Sequence, residues 1–410
     1  MSILKTLFVA TRLLLTSHGV HANTALNNAN EDDVDTLVSN LIQWVRDNGG
    51  YVNDKIDFRP IEPEDPASPR GVFAKQEIDA GETLAHIPWD LIIKSPERTK
   101  GEVEGLSKDD CGVIQETIKV MTASDGNITP YGRYLLSQPQ NYTVGFWSKK
   151  GQDLFVEMTD NFLPPNGIKD MLGEEFEDIC DGDVNDPMTV QAVMLVRARS
   201  DWEYLVPVYD MFNHHNGKYN IELRVNPYKS SIKETGYEII AGRQLQPEEQ
   251  LYNSYNRCGN CDVWYDWFGT PEIYLNFGFV ESFPQRWLFD LARVKVDLLE
   301  DSNGQVSVKF LVPPSKKGVD MLRHQLVRLN GLSFRYQSKS AVDIGIRSVE
   351  WDSLWQYYDA LHAALTYVTS ANETLVDDVW IMDDNWWVQE GTTRAEEDEH
   401  WVRTTARDEL

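Results

Sequence analysis

The chain has 410 residues, 41% of them hydrophobic and 11% aromatic, enough for two or three domains with real cores. Its 38 Lys+Arg against 65 Asp+Glu leave a net charge of −27, a field that repels phosphate backbones and disfavours nucleic-acid binding. A basic protein partner suits that field, although solubility alone also accounts for it.

Residues 1–22 carry Lys5, no acidic residue, a Leu-rich run and a small-residue exit at Val20-His21-Ala22, the build of a secretory signal. Arg12 interrupts the apolar stretch and leaves a mitochondrial-type presequence as the alternative. No segment reaches the ~20 apolar residues that a membrane span needs. An Asn/Ala/Asp-rich stretch at 23–33 follows, and residues 34–48 then place Val34, Leu37, Val38, Leu41, Ile42 and Val45 on one helical face, ending at Asn48-Gly49-Gly50. Short strands are predicted around Arg70-Gly71-Val72-Phe73-Ala74, Ile78 and Leu84–Pro88.

From about 96 to 200 the pattern is helical and irregular, closing on the run Val190–Arg199. An apolar run (Leu205, Val206, Pro207, Val208) then delivers Asp210 and the pair Asn213-His214 to the end of a strand predicted at 204–209. Strands follow at 219–225 and 236–241, and Gln250-Leu251-Tyr252-Asn253-Ser254-Tyr255 reads as a short strand ending on a tyrosine. Beyond 290 come a strand pair (Val294–Leu299, Val306–Leu311), helices at 317–330 and 348–369, and an acidic, Trp-rich tail at 376–410.

The last four residues, Arg407-Asp408-Glu409-Leu410, match a Lys/His-Asp-Glu-Leu retention signal in three positions and keep a basic first residue. With the N-terminal signal this predicts the lumen of the endoplasmic reticulum, held by a retention receptor. Sequons at Asn127, Asn141 and Asn372 fit that compartment. Of the four cysteines, Cys258 and Cys261 form a C-x-x-C pair; a local disulfide is ranked first, then free thiols, then zinc. A closed zinc site needs four ligands, so no metal is expected.

In this order, the segments Arg70-Gly71-Val72-Phe73, Val196-Arg197-Ala198, Asp210-Met211-Phe212-Asn213-His214 and Tyr252-Asn253-Ser254-Tyr255 resemble SET-domain methyltransferases of the Rubisco large-subunit methyltransferase type. The flanks Trp44…Gly50, Ile87-Pro88, Pro130-Tyr131…Pro139 and Leu275–Val280 extend the resemblance over about 36–285. It implies an α+β fold. A SET domain of small β-sheets with knot-like threading would span 56–285, with a helical insert at about 96–195, and a mainly α-helical, substrate-binding-type lobe would follow at 290–375. It also implies a protein N-methyltransferase that uses S-adenosyl-L-methionine and acts on a lysine or histidine of a protein substrate. Tyr255 would stand at the methyl-transfer channel, and Arg70, Gly71, Val72, Arg197, Asp210, Asn213, His214 and Tyr255 would form the cofactor site. Such chemistry asks mainly for in-line alignment and a deprotonated acceptor.

Each residue also has a plainer reading: Gly71 as a turn glycine, Arg197 as a helix cation near a C-terminus, Tyr255 as a packed core tyrosine. Two departures stand out. Arg199 occupies a position where lysine-methylating relatives carry an aromatic, and Pro247-Glu248-Glu249 replaces the usual Gly-Glu-Glu turn. They keep in view a non-catalytic SET-fold binding protein of the lumen, and the Cys258 and Cys261 pair keeps in view a thiol–disulfide enzyme.

Overall fold

In the computed structural model, which describes residues 33–64, 68–95, 108–122, 128–138, 143–160, 180, 182–183, 186–201, 204–225, 236–256, 268–312 and 314–371, the first amphipathic stretch forms helix α1 (Val34–Asp47). It buries Leu37, Val38, Leu41 and Val45 of the predicted face, leaves Val34 at its start exposed, and stops where Gly49 takes a left-handed φ of 84°. The signal-like residues 1–22, the three sequon asparagines, Cys258, Cys261 and the tail through Leu410 lie outside the described residues.

Strands β1 (Tyr51–Val52), β2 (Ile56–Pro60), β3 (Arg70–Ala74) and β4 (Thr83–Pro88) come next. A helical stretch interrupts them: α2 (Lys108–Met121), α3 (Pro130–Ser137), α4 (Lys149–Thr159) and α5 (Pro187–Arg199). Helix α5 starts where the Asp186 carboxylate accepts the backbone N–H groups of Met188 and Thr189, with Pro187 in the first turn. After it lie β5 (Asn213–His214), β6 (Ile221–Val225), β7 (Gly236–Ala241), β8 (Gln250–Asn253) and α6 (Thr270–Phe277).

These strands make two four-stranded sheets, ordered β1-β4-β7-β6 and β2-β3-β8-β5. Every pairing in them is antiparallel except one: β5 runs parallel to β8, with Asn213 opposite Tyr252 and His214 opposite Asn253. That pairing carries the threading, because it lays the 213–214 segment against the strand that leads to Tyr255. A shared core of Val38, Leu41, Val72, Leu84, Ile87, Leu205, Val206, Phe212, Ile239 and Leu251 lies beneath both sheets.

The strand predicted at 204–209 is not there. Leu205 makes only an isolated bridge to Ile93, and Val208 adopts φ 71°. Tyr209–Met211 form a 3-10 turn, so the strand begins at Asn213. Pro207 has no N–H for a ladder and a restricted φ, which breaks the extended run. Strand β9 (Gln285–Phe289) was not foreseen; it pairs with β10 (Val294–Glu300), which pairs with β11 (Val306–Phe310).

This sheet and helices α7 (Lys316–Tyr336), α8 (Ala341–Ile344) and α9 (Ser348–Ser370) enclose a second core around Trp287, Phe289, Leu322, Leu329, Tyr357 and Leu361. Helix α4 contributes Leu154 and Phe155 to this core, and α6 contributes Tyr274 and Leu275. No described helix is long and apolar enough to cross a membrane.

Cys111 on α2 and Cys180 form a disulfide that closes a 69-residue separation. Cys111→Ser should lower stability by about 2–5 kcal/mol. A denaturant titration without reductant checks it, and an unchanged midpoint would show that the bridge contributes nothing.

Candidate active site

The site is assembled where β5, the end of β8 and the C-terminal end of α5 converge. The Tyr255 backbone N–H donates to His214 Nδ1 at 2.9 Å, and its hydroxyl donates to the Phe212 carbonyl at 3.1 Å. The Tyr255 ring lies 4.7 Å from Phe277 and 5.1 Å from His214, centroid to centroid. Burial pushes the phenol up to about 12, against the opposing pull of Arg199, so at neutral pH Tyr255 is a neutral hydroxyl.

A cleft of about 460 Å³ opens beside it, lined by Arg199, Ser200, Asp201, Tyr209, Asp210, Phe212, Asn253, Ser254, Tyr255 and Phe277 among others. Arg199 is the cationic side chain of its lining. One guanidinium nitrogen donates to the Asp210 carbonyl at 3.0 Å, lies 3.5 Å from Asp210 Oδ2 and reaches the Tyr134 hydroxyl at 3.4 Å. The other donates to Gln138. Tyr131 donates to the same Asp210 oxygen at 3.3 Å.

The Asp210 carboxylate is fully buried, and burial raises its pKa to about 6 despite the Arg199 charge. Its Oδ1 is buried with no partner among the described residues. Arg199 therefore lines the cleft as half of an ion pair, with its charge turned toward Asp210. The sequence left open which way it pointed.

The remaining predicted residues form a neighbouring layer. Asn213 Nδ2 donates to the Arg70 carbonyl at 2.8 Å, tying β5 to β3. The Arg70 side chain turns to α1, paired with Asp35 and donating to the Phe58 carbonyl at 2.7 Å. Val72 is fully buried in the core. A Cβ on Gly71 would lie 2.3 Å from Gln250 Nε2 and 3.1 Å from Asn213 Nδ2, so the glycine makes room for two side-chain amides.

Arg197 Nε donates to Asn276 Oδ1 at 3.1 Å, which joins α5 to α6. His214 has no ring nitrogen to spare: Nδ1 accepts from Tyr255, and Nε2 lies 2.8 Å from Glu281 Oε2. Contact between His214 and a ligand is thus left to its backbone.

Several residues here were given no site role in the sequence: Tyr131, Tyr134, Gln138, Asn216, Asn253, Phe277 and Glu281. Asn253 Nδ2 donates to the Tyr209 hydroxyl at 2.6 Å across the β5–β8 pairing. Glu281, a carboxylate directly after the apolar Phe277-Gly278-Phe279-Val280, was the one with a visible signal.

Residues 69–256 match the SET domain family, a span that contains both chain segments of the crossing and Tyr255. These residues form a SET domain. Among solved structures it is similar to "Crystal structure of the SET domain of LSMT bound to Lysine and AdoHcy", with 14% identity and a TM-score of 0.43 over 90% of this chain and 100% of that one. It is also similar to "Structure of Rubisco LSMT bound to Sinefungin and Monomethyllysine", at 13% identity and TM-score 0.43 over 89% and 99% of the two chains. A third is "Structure of Rubisco LSMT bound to AdoMet", at 11% identity and TM-score 0.41, again over 89% and 99%. A comparison with curated proteins finds no match.

In this SET domain the buried ion pair sets a pH dependence of stability. The folded pKa of Asp210 lies above its ordinary 3.8, at about 6. A raised carboxylate favours the fold while protonated, so its contribution is complete below pH ~4 and is lost as pH rises through ~6. The two-unit rise corresponds to about 3 kcal/mol. Asp210→Asn should therefore flatten the loss of stability between pH 4 and 7 that denaturation midpoints record for the native chain. An identical slope in both proteins would refute the assignment.

Proposed function

We propose that this SET-domain protein is a protein N-methyltransferase that uses S-adenosyl-L-methionine and modifies a lysine or histidine side chain. The observation that carries the reading is the delivery of Tyr255, Asp210 and the Asn213-His214 segment to one place by the parallel β5–β8 pairing, beside a cleft.

The residues present suit such a donor. Two buried polar atoms without partners among the described residues stand at these segments: Asp210 Oδ1, an acceptor, and Gln250 Nε2, a donor. Their opposite characters match a molecule carrying both an ammonium and a carboxylate. Arg197, Asp210, Asn213 and the backbone of Arg70–Val72 and His214 would hold it. When bound, the donor supplies a methyl group on a sulfonium, which needs alignment more than acid–base assistance.

Tyr255 supplies the alignment. Its proton is engaged by the Phe212 carbonyl at 3.1 Å, which leaves the phenolic oxygen's lone pairs free to orient an acceptor N–H or a polarised methyl. A phenol held at about 12 is a poor base at neutral pH, so the acceptor nitrogen must arrive already deprotonated. Phe212 and Phe277 give the cleft an apolar wall, and the Arg199–Asp210 pair leaves no unbalanced guanidinium charge facing an acceptor.

Arg199 favours a second reading, a binding protein that holds the donor without turning it over, because its guanidinium takes up room at the cleft. Calorimetry and turnover separate the two. Asn213→Ala should weaken S-adenosyl-L-methionine binding by about tenfold, the loss of one good hydrogen bond. Tyr255→Phe should bind it within about threefold of native and lower methyl transfer on the order of 10²-fold. Binding without transfer in the native chain would establish the second reading, and no binding at all would refute both.

We also propose residence in the endoplasmic-reticulum lumen. The Cys111–Cys180 bridge supports an oxidising compartment, and Arg407–Leu410 supplies a retention sequence. Deleting Arg407–Leu410 should release the protein into the secretory flow, as immunoblotting of the culture medium would register. Unchanged retention, or import into mitochondria, would overturn the assignment.

A further inference from the structure

Glu281 is the most heavily engaged buried carboxylate near the site, and the methyl-transfer reading gives it no part. Its side chain is fully buried. Oε2 faces His214 Nε2 at 2.8 Å and accepts from Asn216 Nδ2 at 2.8 Å and Asn256 Nδ2 at 3.3 Å. Oε1 accepts the Thr270 hydroxyl at 2.5 Å. Asn216 is committed in turn, since its Oδ1 accepts from the Ser254 hydroxyl at 2.8 Å.

The hydrogen bonds have a direction. A backbone N–H can only donate, so His214 Nδ1, the partner of the Tyr255 N–H, must be unprotonated. The proton of the neutral ring then sits on Nε2 and is donated to Glu281, as an anionic acceptor with no proton of its own requires. Glu281 thereby selects the one tautomer of His214 that can receive Tyr255. Protonating Nδ1, as the other tautomer or the imidazolium would, sets two N–H groups against each other and releases the tyrosine's backbone.

The same carboxylate holds Asn256 and Thr270, which flank residues 257–269 on either side. It therefore places the chain just after Tyr255 as well as Tyr255 itself. A buried carboxylate is costly unless hydrogen-bonded, and four donors meet that demand here.

We propose that Glu281 is a positioning residue: acting through His214, it fixes the tautomer and ring orientation that hold Tyr255 at the cleft. That this placement serves methyl transfer rests on the function proposed above; the coupling itself does not. Glu281, Tyr255 and His215 are the titratable groups that face the His214 ring.

Nuclear magnetic resonance of the full chain, labelled with ¹⁵N at histidine, tests it without any methyl-transfer assay. The His214 signals are identified by their loss in His214→Asn. In the native chain at neutral pH they should show the Nε2–H tautomer, and the Tyr255 amide should be protected from exchange. Glu281→Ala should mix the tautomers and speed Tyr255 exchange at least about tenfold while amides of the β9–β10 pair keep their protection. Glu281→Gln can keep its oxygen toward His214 and turn its amide to the Thr270 hydroxyl, so it should restore both signatures.

An Nδ1–H tautomer in the native chain, or the native tautomer and Tyr255 exchange rate retained in Glu281→Ala, would overturn the proposal, the former even if Glu281→Ala does not fold. A chain that shows the coupling yet fails to bind S-adenosyl-L-methionine would refute the proposed function and leave the positioning of Tyr255 standing.

Discussion

The hydrogen bond from the Tyr255 backbone to His214 Nδ1 joins two parts of the chain 41 residues apart, and the geometry of the cleft depends on it. The parallel pairing of β5 with β8 brings the segments within reach, but it is only two residues long on the β5 side. Such a short ladder specifies register weakly on its own. The imidazole adds a side-chain lock at the ladder's end, and the buried oxygens of Glu281 keep that lock in one protonation pattern. Asn213 does the corresponding work on the other side by donating to the Arg70 carbonyl. The Asn-His pair thus ties three strands together before any ligand is considered.

The charge arrangement follows the same economy. Asp210 is fully buried, an unfavourable place for a carboxylate, and Arg199 and Tyr131 offset that cost on a single oxygen. Arg199 is itself held between Tyr134, Gln138 and Asp210, so α3 and the segment after it reach the cleft through the guanidinium. The helical stretch between β4 and β5 is therefore a wall of the site and not merely an insertion. The disulfide from α2 to Cys180 fastens the same region. A rigid wall matters where the chemistry asks for alignment within a fraction of an ångström.

Much of this was legible in residue order. The period of Val34–Val45 foretold the buried face of α1, and the apolar alternation around Val72, Ile239 and Leu251 foretold strands. The four motif segments located Asp210, Asn213, His214 and Tyr255, which do meet. Two readings failed for local reasons. Pro207 and the positive φ of Val208 interrupt a run that composition alone reads as a strand. Strand β9 was hidden because Gln285 and Arg286 look exposed, although both are buried, Arg286 through its ion pair with Asp297. Pairing of that kind cannot be seen one residue at a time.

The sequence by itself determined the resemblance to SET domains and the elements with strong periodicity, because motif order and hydrophobic period are properties of the chain. Only the tertiary structure decided what each side chain is committed to. It turned Arg70 to Asp35 and Arg199 to Asp210, gave the space over Gly71 to Gln250 and used both ring nitrogens of His214 internally. The reason is physical: a buried polar group takes whichever partner the fold brings near, since leaving it unpaired costs about 1–3 kcal/mol. Those partners, Glu281 above all, come from segments that no local spacing connects to the motif.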